Sequence, residues 1–249
     1  MINEIDLKAF EKRVYSQWGE DGITEKLFDL LGTTNKYFVE FGSSGIDAGG
    51  GNTAYLRRLG FKGLLMDASE HIKEPQYDVK IHKINAKNIE SLFLLYNVPK
   101  EFDFLSIDID GNDFYVWESI KKYSPRVVCI EINGVFPSDC DWVQQYDPNW
   151  IWAGNRIFGA SYFAMCNLAK VKGYTPVYLT CATEDTCRIV GGREPVNLFL
   201  VRNDILNFDF KPINYIVHEI NDETAYKSKW VQRLLAMPHT KSIDYLNLR

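Results

Sequence analysis

The sequence predicts a doubly wound α/β fold, in which a mostly parallel sheet ends with an antiparallel strand. Short apolar runs alternate with helix-compatible stretches from residue 37 to residue 180, at the spacing of successive βαβ units. A glycine-crowded loop, Gly42 to Gly51, follows the first apolar run. The alternation then closes with a helix and two consecutive strands, which favours an antiparallel final strand.

The predicted elements follow in chain order. Helical spacing indicates a helix over residues 5–13 and another over Ile23–Leu31 that stops at Gly32. The core that follows is predicted as strand Tyr37–Phe41, helix Thr53–Leu59, strand Gly63–Asp67, strand Val79–Ile84, helix Ile89–Tyr96, strand Phe102–Asp108, helix Phe114–Lys122 and strand Arg126–Glu131. The remaining elements are helix Ser161–Lys172, strands Thr175–Thr180 and Asn197–Arg202, and a helix over Thr224–Met237.

Composition limits the class of protein. The 249 residues carry a formal net charge of −5, which argues against a nucleic-acid partner because such partners demand a basic face. No apolar run approaches the ~20 residues that span a bilayer, and the first residues lack the apolar core of a signal peptide. Five cysteines with no CxxC pair are typical of reduced thiols. We therefore expect a cytoplasmic protein with no membrane span.

The loop after the first strand predicts the cofactor. Glycines there let the backbone approach a ligand closely, and Asp67 ends the next strand, where a carboxylate can accept hydrogen bonds from a ribose diol. Glu40 precedes the loop, Asp47 lies within it, and no Lys or Arg occurs between Lys36 and Arg57. A pyrophosphate would be repelled by these acids. The pattern therefore favours S-adenosylmethionine, whose ammonium Glu40 would hold, over NAD.

A second group of polar residues lies at two later strand ends. Asp108, Asp110 and Asp113 follow one strand, and Glu131 and Asn133 follow the next. Carboxylate and amide oxygens converging at one sheet edge suit Mg²⁺ or Mn²⁺, and we assign Asp110, Glu131 and Asn133 as its ligands. An ion there would lower the pKa of an acceptor hydroxyl. The alternatives are that Asp108 and Asp110 cap the next helix, or that one carboxylate is a general base.

Two further features bear on substrate and chemistry. His82 is a titratable candidate for catalysis on the short third strand, although a lone histidine in such a segment is more often structural. Asn85, at the end of that strand, is in a position to reach the adenine edge. Tryptophans crowd residues 140–155, where aromatic rings would stack on a sugar, fill the core or form an oligomer contact.

Six segments together resemble the FkbM-type methyltransferases. They are YSQWGEDGI (Tyr15–Ile23), FVEFGSSGIDAGGGNT (Phe38–Thr53), FDFLSIDIDGND (Phe102–Asp113), VVCIEIN (residues 127–133), SYFAMCNLAKVKGY (Ser161–Tyr174) and NLFLVR (Asn197–Arg202). The resemblance implies a Rossmann-like class I fold and a SAM-dependent O-methyltransferase that acts on sugars. It also implies that Gln17, Glu20 and Asp21 fold back over the cofactor site. The inserted Ile46–Gly51 departs from the family's shorter loop.

Residues and resemblance together define the predicted organisation. Residues 1–35 form an N-terminal helical segment over the cofactor site, 36–203 the SAM-binding core with a substrate-side insertion at 134–160, and 204–249 a C-terminal extension. The predicted cofactor-binding residues are Gln17, Glu40, Gly42, Ser43, Asn52, Thr53, Asp67, Asn85 and Asp108. The predicted catalytic residues are Asp110, Glu131, Asn133 and His82.

The predicted reaction is methylation of a hydroxyl on a sugar or nucleotide-sugar, such as a heptose, in capsule or polysaccharide biosynthesis. The acceptor is then a small molecule, and a homo-oligomer is compatible with the aromatic-rich segment. Two alternatives are an NAD-linked sugar oxidoreductase or epimerase, and a non-catalytic SAM-binding subunit. The first is disfavoured by Glu40 and Asp47, and the second by the acidic cluster, whose electrostatic cost an inactive fold need not retain.

Overall fold

The computed structural model describes residues 4–42, 51–69, 78–181, 195–213, 226–227 and 229–248. Nine strands lie in these ranges. They are β1 (Tyr37–Phe41), β2 (Lys62–Asp67), β3 (Val79–Ile81), β4 (Glu101–Ile107), β5 (Ser124–Glu131), β6 (Val143–Gln144), β7 (Tyr174–Cys181), β8 (Pro195–Arg202) and β9 (His239–Thr240).

Seven of these strands form one sheet in the order β3-β2-β1-β4-β5-β8-β7. Strands β3, β2, β1, β4 and β5 pair in parallel, whereas β8 runs antiparallel to both β5 and β7. This confirms the predicted doubly wound, mostly parallel sheet with an antiparallel last strand. The chain order reverses direction between β1 and β4, and in open α/β sheets ligands bind in the crevice at that point, outside the carboxyl ends of the strands.

Helices cover both faces of the sheet. They are α1 (Glu20–Leu31), α2 (Ala54–Arg58), α3 (Ile89–Leu95), α4 (Asp113–Ser119), α5 (Tyr162–Lys172), α6 (Lys229–Leu235) and α7 (Ser242–Asn247). Alternate residues of a strand point to opposite faces. Phe38 of β1 accordingly packs in the core beneath α1 and α2, and Val39 packs in the core beneath α3, α4 and α5. Both layers are apolar, as expected for a parallel sheet that is buried on both sides.

The termini of α5 show how the sequence sets an element's bounds. The side chain of Ser161 accepts a hydrogen bond from the Ala164 amide and caps the first turn. Gly173 ends the helix in the left-handed conformation, with φ at 78°. The predicted helix of residues 161–172 is thus confirmed to within one residue.

The prediction of a helix over residues 5–13 was wrong. A single 3₁₀ turn occupies Leu7–Phe10, and Phe10 and Val14 are each 40% exposed. The amides of residues 14, 15 and 16 donate to one carboxylate oxygen of Asp21. Within the predicted span, the Lys12 amide donates to the Gly19 carbonyl and the Lys12 carbonyl accepts from the Gly22 amide, so this backbone pairs with the start of α1 instead of closing helical turns. The Asp21 carboxylate holds the loop that follows.

The insertion at 134–160 packs against the C-terminal extension. Strand β6 of the insertion pairs antiparallel with β9 of the extension. Beside this pair the ring of Trp142 stacks on Phe136, with centroids 4.6 Å apart, and its Nε1 donates to the Leu234 carbonyl. A small apolar cluster therefore joins two segments that are almost a hundred residues apart. Within the described ranges, none of the helices combines the length and the apolar character needed to cross a membrane.

Candidate active site

Five residues lie side by side along the carboxyl edge of the sheet. The last paired positions of β1, β2, β4 and β5 are in register, so the residues one step further also lie side by side. On this edge Asp67 ends β2, Gly42 follows β1, Asp108 follows β4 and Glu131 ends β5, and Glu131 pairs with Asn197 at the start of antiparallel β8. Three carboxylates thus line the crevice where the strand order reverses.

Gly42 is required by the close approach of β1 to β4. Its φ is +78°, and a Cβ built there would lie 1.8 Å from the carbonyl oxygen of Asp108. Its amide donates to the Met66 carbonyl at 3.0 Å, which holds the start of the loop against β2. Ser43 and Asp47, which complete the predicted cofactor loop, lie outside the described residues.

The carboxylate of Glu40 is buried and fixed by the residues that follow the loop. The Asn52 amide donates to its Oε1 at 2.6 Å, and the Thr53 hydroxyl donates to its Oε2. The Asn52 side chain in turn donates to the Ser106 hydroxyl on β4 at 3.1 Å. Burial raises the pKa of Glu40 to about 7, although the nearby Arg57 and these hydrogen bonds partly oppose the rise. Asn52 and Thr53 therefore orient Glu40.

Asp67 ends β2 next to the loop that follows it. Its Oδ1 accepts from the Ser69 amide at 2.6 Å, and its backbone carbonyl accepts from the His82 amide at 2.8 Å. Its charge also contributes to raising the pKa of Asp110, so the two carboxylates are close enough to interact. Asp67 thus lies at the carboxyl edge of the sheet between β1 and β3.

Asp108, Asp110 and Glu131 form a compact cluster of half-buried carboxylates. One oxygen from each lies within 4.8 Å of the other two. Burial, followed by repulsion from neighbouring acids, raises the pKa of Asp108 and of Glu131 well above the usual range. Asp110 has a positive φ of 55°, which directs the loop after β4 back toward the sheet edge.

Asp113 has a different role from the other acids of its motif. One of its oxygens accepts from the Ile109 amide at 2.9 Å and the other from the Gly111 amide at 2.8 Å. Burial raises its pKa to about 6. Asp113, rather than Asp108 or Asp110, is therefore the carboxylate that shapes the turn before α4. The alternative that Asp108 and Asp110 act as helix caps is wrong.

Asn133 and His82, two of the predicted catalytic residues, form contacts away from the carboxylates. The Asn133 side chain donates to the carbonyls of Arg156 and Phe158, so it braces the insertion instead of joining the carboxylates. His82 Nε2 lies 2.6 Å from the Tyr96 hydroxyl. His82 follows β3, which is three strands from β4, or roughly 14 Å at ~4.8 Å per strand.

Asn85 is occupied by the turn that begins α3. Its side-chain oxygen accepts from the amides of Lys87 and Asn88, and its own amide donates to the Asn88 side chain. The structure thus gives Asn85 a local capping role.

The N-terminal segment borders the same edge through Glu20. Its Oε1 accepts from the Thr180 hydroxyl at 3.0 Å and from the side-chain amide of Asn197 at 2.9 Å. Its Oε2 accepts from the backbone amide of Trp18 at 2.7 Å. Asn197 in turn pairs with Glu131. Gln17 lies on the same loop with an exposed side chain.

The insertion reaches the carboxylate cluster through Trp150. Its indole Nε1 donates to the Asp110 carbonyl at 2.9 Å. A Cβ on Gly111 would lie 2.3 Å from the Trp150 ring, so the indole covers the bare glycine. The Asn112 side chain donates to the Asp147 carbonyl at 2.7 Å. The aromatic-rich segment therefore borders the cluster, and Trp152 beyond it is 44% exposed.

Sequence reasoning missed three of these contributors. Thr180 lies within an ordinary strand pattern that carries no local signal. Asn197 stood inside a matched segment without a role, and Trp150 was one of several tryptophans. Only the positions of β7, β8 and the insertion in space show that these residues adjoin the cluster.

Elsewhere the chain neutralises a buried acid. Asp103 in β4 is fully buried, and it forms an ion pair with Arg126 at 2.9 Å and accepts from the Lys36 amide. The cluster of Asp108, Asp110 and Glu131 has no such compensation from any described residue, by ion pair or by side-chain hydrogen bond. A site that gathers uncompensated acids is suited to cationic ligands.

Comparisons with known proteins find solved structures with a similar fold. No family model matches the chain, and no curated protein matches it. The structure is similar to an S-adenosylmethionine-dependent methyltransferase from Clostridium acetobutylicum, with 12% identity and a TM-score of 0.42 over 80% of this chain and 92% of that one. It is also similar to the CMeT domain of the citrinin polyketide synthase, with 13% identity and a TM-score of 0.42 over 74% of this chain and 51% of that one.

Proposed function

We propose that this protein is a SAM-dependent O-methyltransferase. The observation that carries the proposal is the row of Asp67, Gly42 and Asp108 at the point where the strand order reverses, with Glu40 buried behind it. Gly42, where a Cβ would collide with the Asp108 carbonyl, keeps the ends of β1 and β4 close together, and the acids on both sides favour a cationic ligand.

The residues present fit S-adenosylmethionine. Glu40 would hold the ammonium, Asp67 the ribose hydroxyls, and Gly42 the closely approaching part of the ligand. The raised pKa of Glu40 supports this assignment, because a buried carboxyl gains from a cationic partner. When bound, S-adenosylmethionine supplies an electrophilic methyl group on a sulfonium centre.

The acceptor is proposed to be a hydroxyl of a sugar or nucleotide-sugar. Asp110 and Glu131 would face the acceptor oxygen and orient it, and without a metal ion one of these carboxylates would take up the hydroxyl proton. The insertion supports a sugar, because Trp150 lies next to Asp110 and Trp152, two residues further, is 44% exposed, and such rings stack on sugar faces. A heptose of capsule or polysaccharide biosynthesis and the FkbM-type assignment remain part of this proposal and rest on the sequence resemblance.

The setting proposed for this reaction is the cytoplasm, with a small-molecule acceptor and no nucleic-acid partner. The acidic composition supports the absence of a nucleic-acid partner, and the cysteine pattern supports the cytoplasm. A homo-oligomer is proposed on the exposed apolar side chains of Ile151 and Trp152, which are 78% and 44% exposed.

Two alternatives make different predictions. An NAD-linked oxidoreductase would place a pyrophosphate among Glu40, Asp67 and Asp108, which these acids oppose. A non-catalytic SAM-binding subunit would bind the cofactor without turnover, and the acidic cluster at Asp110 and Glu131 disfavours it because an inactive fold need not retain the electrostatic cost of gathering these acids.

One experiment separates these functions. Calorimetry with S-adenosylmethionine and with NADH identifies the cofactor, and release of S-adenosylhomocysteine over a panel of nucleotide-sugars identifies the reaction. We expect micromolar S-adenosylmethionine binding and turnover with at least one sugar. Micromolar NADH binding would overturn the proposal, whereas cofactor binding without any turnover would favour the subunit.

The variant Asp110→Asn sharpens the assay. It should lose turnover while keeping S-adenosylmethionine affinity within a few-fold. Loss of cofactor affinity instead would assign Asp110 to the cofactor site.

A further inference from the structure

Asp108, Asp110 and Glu131 differ from the other acids of the molecule in geometry. Glu131 ends β5, Asp108 directly follows the neighbouring β4 and Asp110 lies two residues further in the β4–α4 loop, and one oxygen of each lies within 4.8 Å of the others. The pairing of β4 with β5 places Asp108 beside Glu131. Asp110 reaches the group because its backbone is held at φ +55° and its carbonyl is bound by Trp150.

The second observation is an unpartnered oxygen inside this cluster. Glu131 Oε2 is inaccessible to solvent and has no hydrogen-bond partner among the described residues. The acids around Glu131 cannot satisfy this oxygen, because a carboxylate accepts hydrogen bonds and does not donate them. A buried carboxylate oxygen in a group of acids is stable only with a proton or a cation beside it.

We propose that Asp108, Asp110 and Glu131 bind one divalent cation of the Mg²⁺ or Mn²⁺ type. The ligand set is all oxygen, which these hard cations prefer, and three carboxylates leave coordination positions open. The set differs from the one expected from sequence, because Asn133 is bound to two carbonyls and Asp108 takes its place.

The site lies beside Gly42 and below Trp150, between the proposed cofactor pocket and the insertion. The ion would be available there to polarise an acceptor hydroxyl bound at this edge. This consequence rests on the proposed function, whereas binding of the ion itself does not. A bound cation would also hold Asp110 and Glu131 together without a proton.

The test is a titration of the full chain with Mn²⁺ after its metal has been removed with EDTA and dialysis. Electron paramagnetic resonance measures the free Mn²⁺ at each step of the titration. We expect one ion per chain, and at least tenfold weaker binding in Asp110→Asn and in Glu131→Gln. The control Asp78→Asn makes the same change at an exposed acid at the start of β3 and should bind like the wild type. The titration is repeated with S-adenosylhomocysteine present.

Thermal unfolding provides a second readout that exposes a folding defect. In EDTA, Glu131→Gln should melt at or above the wild-type temperature, because a like charge has been removed from the cluster. In 1 mM Mn²⁺ the order should reverse, since only the wild type gains from the ion. Absence of binding by the wild type with and without S-adenosylhomocysteine would overturn the proposal, as would unchanged binding in both cluster variants. Failure of the methyltransferase assay leaves both readouts intact, because neither uses turnover.

Discussion

Ionisation of Glu40 should control binding of S-adenosylmethionine. Its carboxyl is buried, and burial raises its pKa from 4.5 to about 7. If the ligand's ammonium requires the ionised form, roughly 3% of the free protein is competent at pH 5.5 and roughly half at pH 7.0. The affinity should therefore rise about 16-fold over this interval, or ~1.6 kcal/mol. At pH 7.0 about one-sixth of the free ligand has lost the proton of its α-ammonium, whose pKa is ~7.7, which lowers the expected rise from about 16-fold to about 14-fold.

The same titration affects stability in the opposite direction. Because the folded protein holds this proton more tightly than the unfolded chain, the free energy of unfolding should fall as the pH rises from 4.5 toward 7. The rise of the Glu40 pKa from 4.5 to about 7 corresponds to a loss of about 3 kcal/mol in the free energy of unfolding over this pH range. A cationic ligand should restore that loss, so stabilisation by S-adenosylmethionine should be larger at pH 7.0 than at pH 5.5.

The assay is calorimetry of S-adenosylmethionine at pH 5.5, 6.2 and 7.0 with the wild type and Glu40→Gln. The glutamine amide can accept from the Asn52 amide and donate to the Thr53 hydroxyl, so the pocket should keep its shape. Glu40→Gln should bind weakly at every pH. Asp108 also has a raised pKa, so any dependence of the affinity on pH that remains in Glu40→Gln measures the contribution of Asp108. A wild-type affinity that is flat with pH, or an equal slope in the variant, would refute the reasoning.

Three further substitutions test the site. Gly42→Ala places a Cβ 1.8 Å from the Asp108 carbonyl at a φ of +78°, so it should abolish cofactor binding and cost at least ~2 kcal/mol in urea unfolding; normal calorimetry would contradict the close approach. Asp113→Asn turns an acceptor into a donor facing an amide, and it should destabilise the protein by ~1–3 kcal/mol in the same unfolding assay, with no change refuting its bracing role. Trp150→Phe keeps the ring but loses the bond to the Asp110 carbonyl, so kcat should fall about tenfold at unchanged cofactor affinity; an unaltered kcat would detach the insertion from catalysis.

Much of the fold could be predicted because its signals are local. The alternation of apolar runs and helices, Ser161 and Gly173 at the ends of α5, and the acids after β2, β4 and β5 all lie within short windows. The helix expected over 5–13 failed for a reason that lies outside that window. Apolar spacing suggested a helix, but the Lys12 backbone pairs with Gly19 and Gly22, and the Asp21 carboxylate then holds the amides of residues 14–16 in a loop.

The candidate site divides in the same way. The sequence determined that Glu40, Asp67, Asp108 and Glu131 would share one edge, because parallel strands end together. The sequence could not show that Asp113 has a different role from Asp108 and Asp110. That role depends on the direction of the N–H groups in the turn before α4, two of which donate to Asp113.

Long-range pairing was decided only by the tertiary structure. Insertion of β8 between β5 and β7 brings Asn197 to Glu131 and Thr180 to Glu20, and docking of the insertion brings Trp150 over Gly111. Asn133 and His82, which the pattern offered for chemistry, are held by carbonyls and by a tyrosine hydroxyl instead. The sequence by itself determined which acids reach the edge, because strand periodicity and direction are local properties. Their partners were decided by contacts between distant segments, which local pattern does not encode.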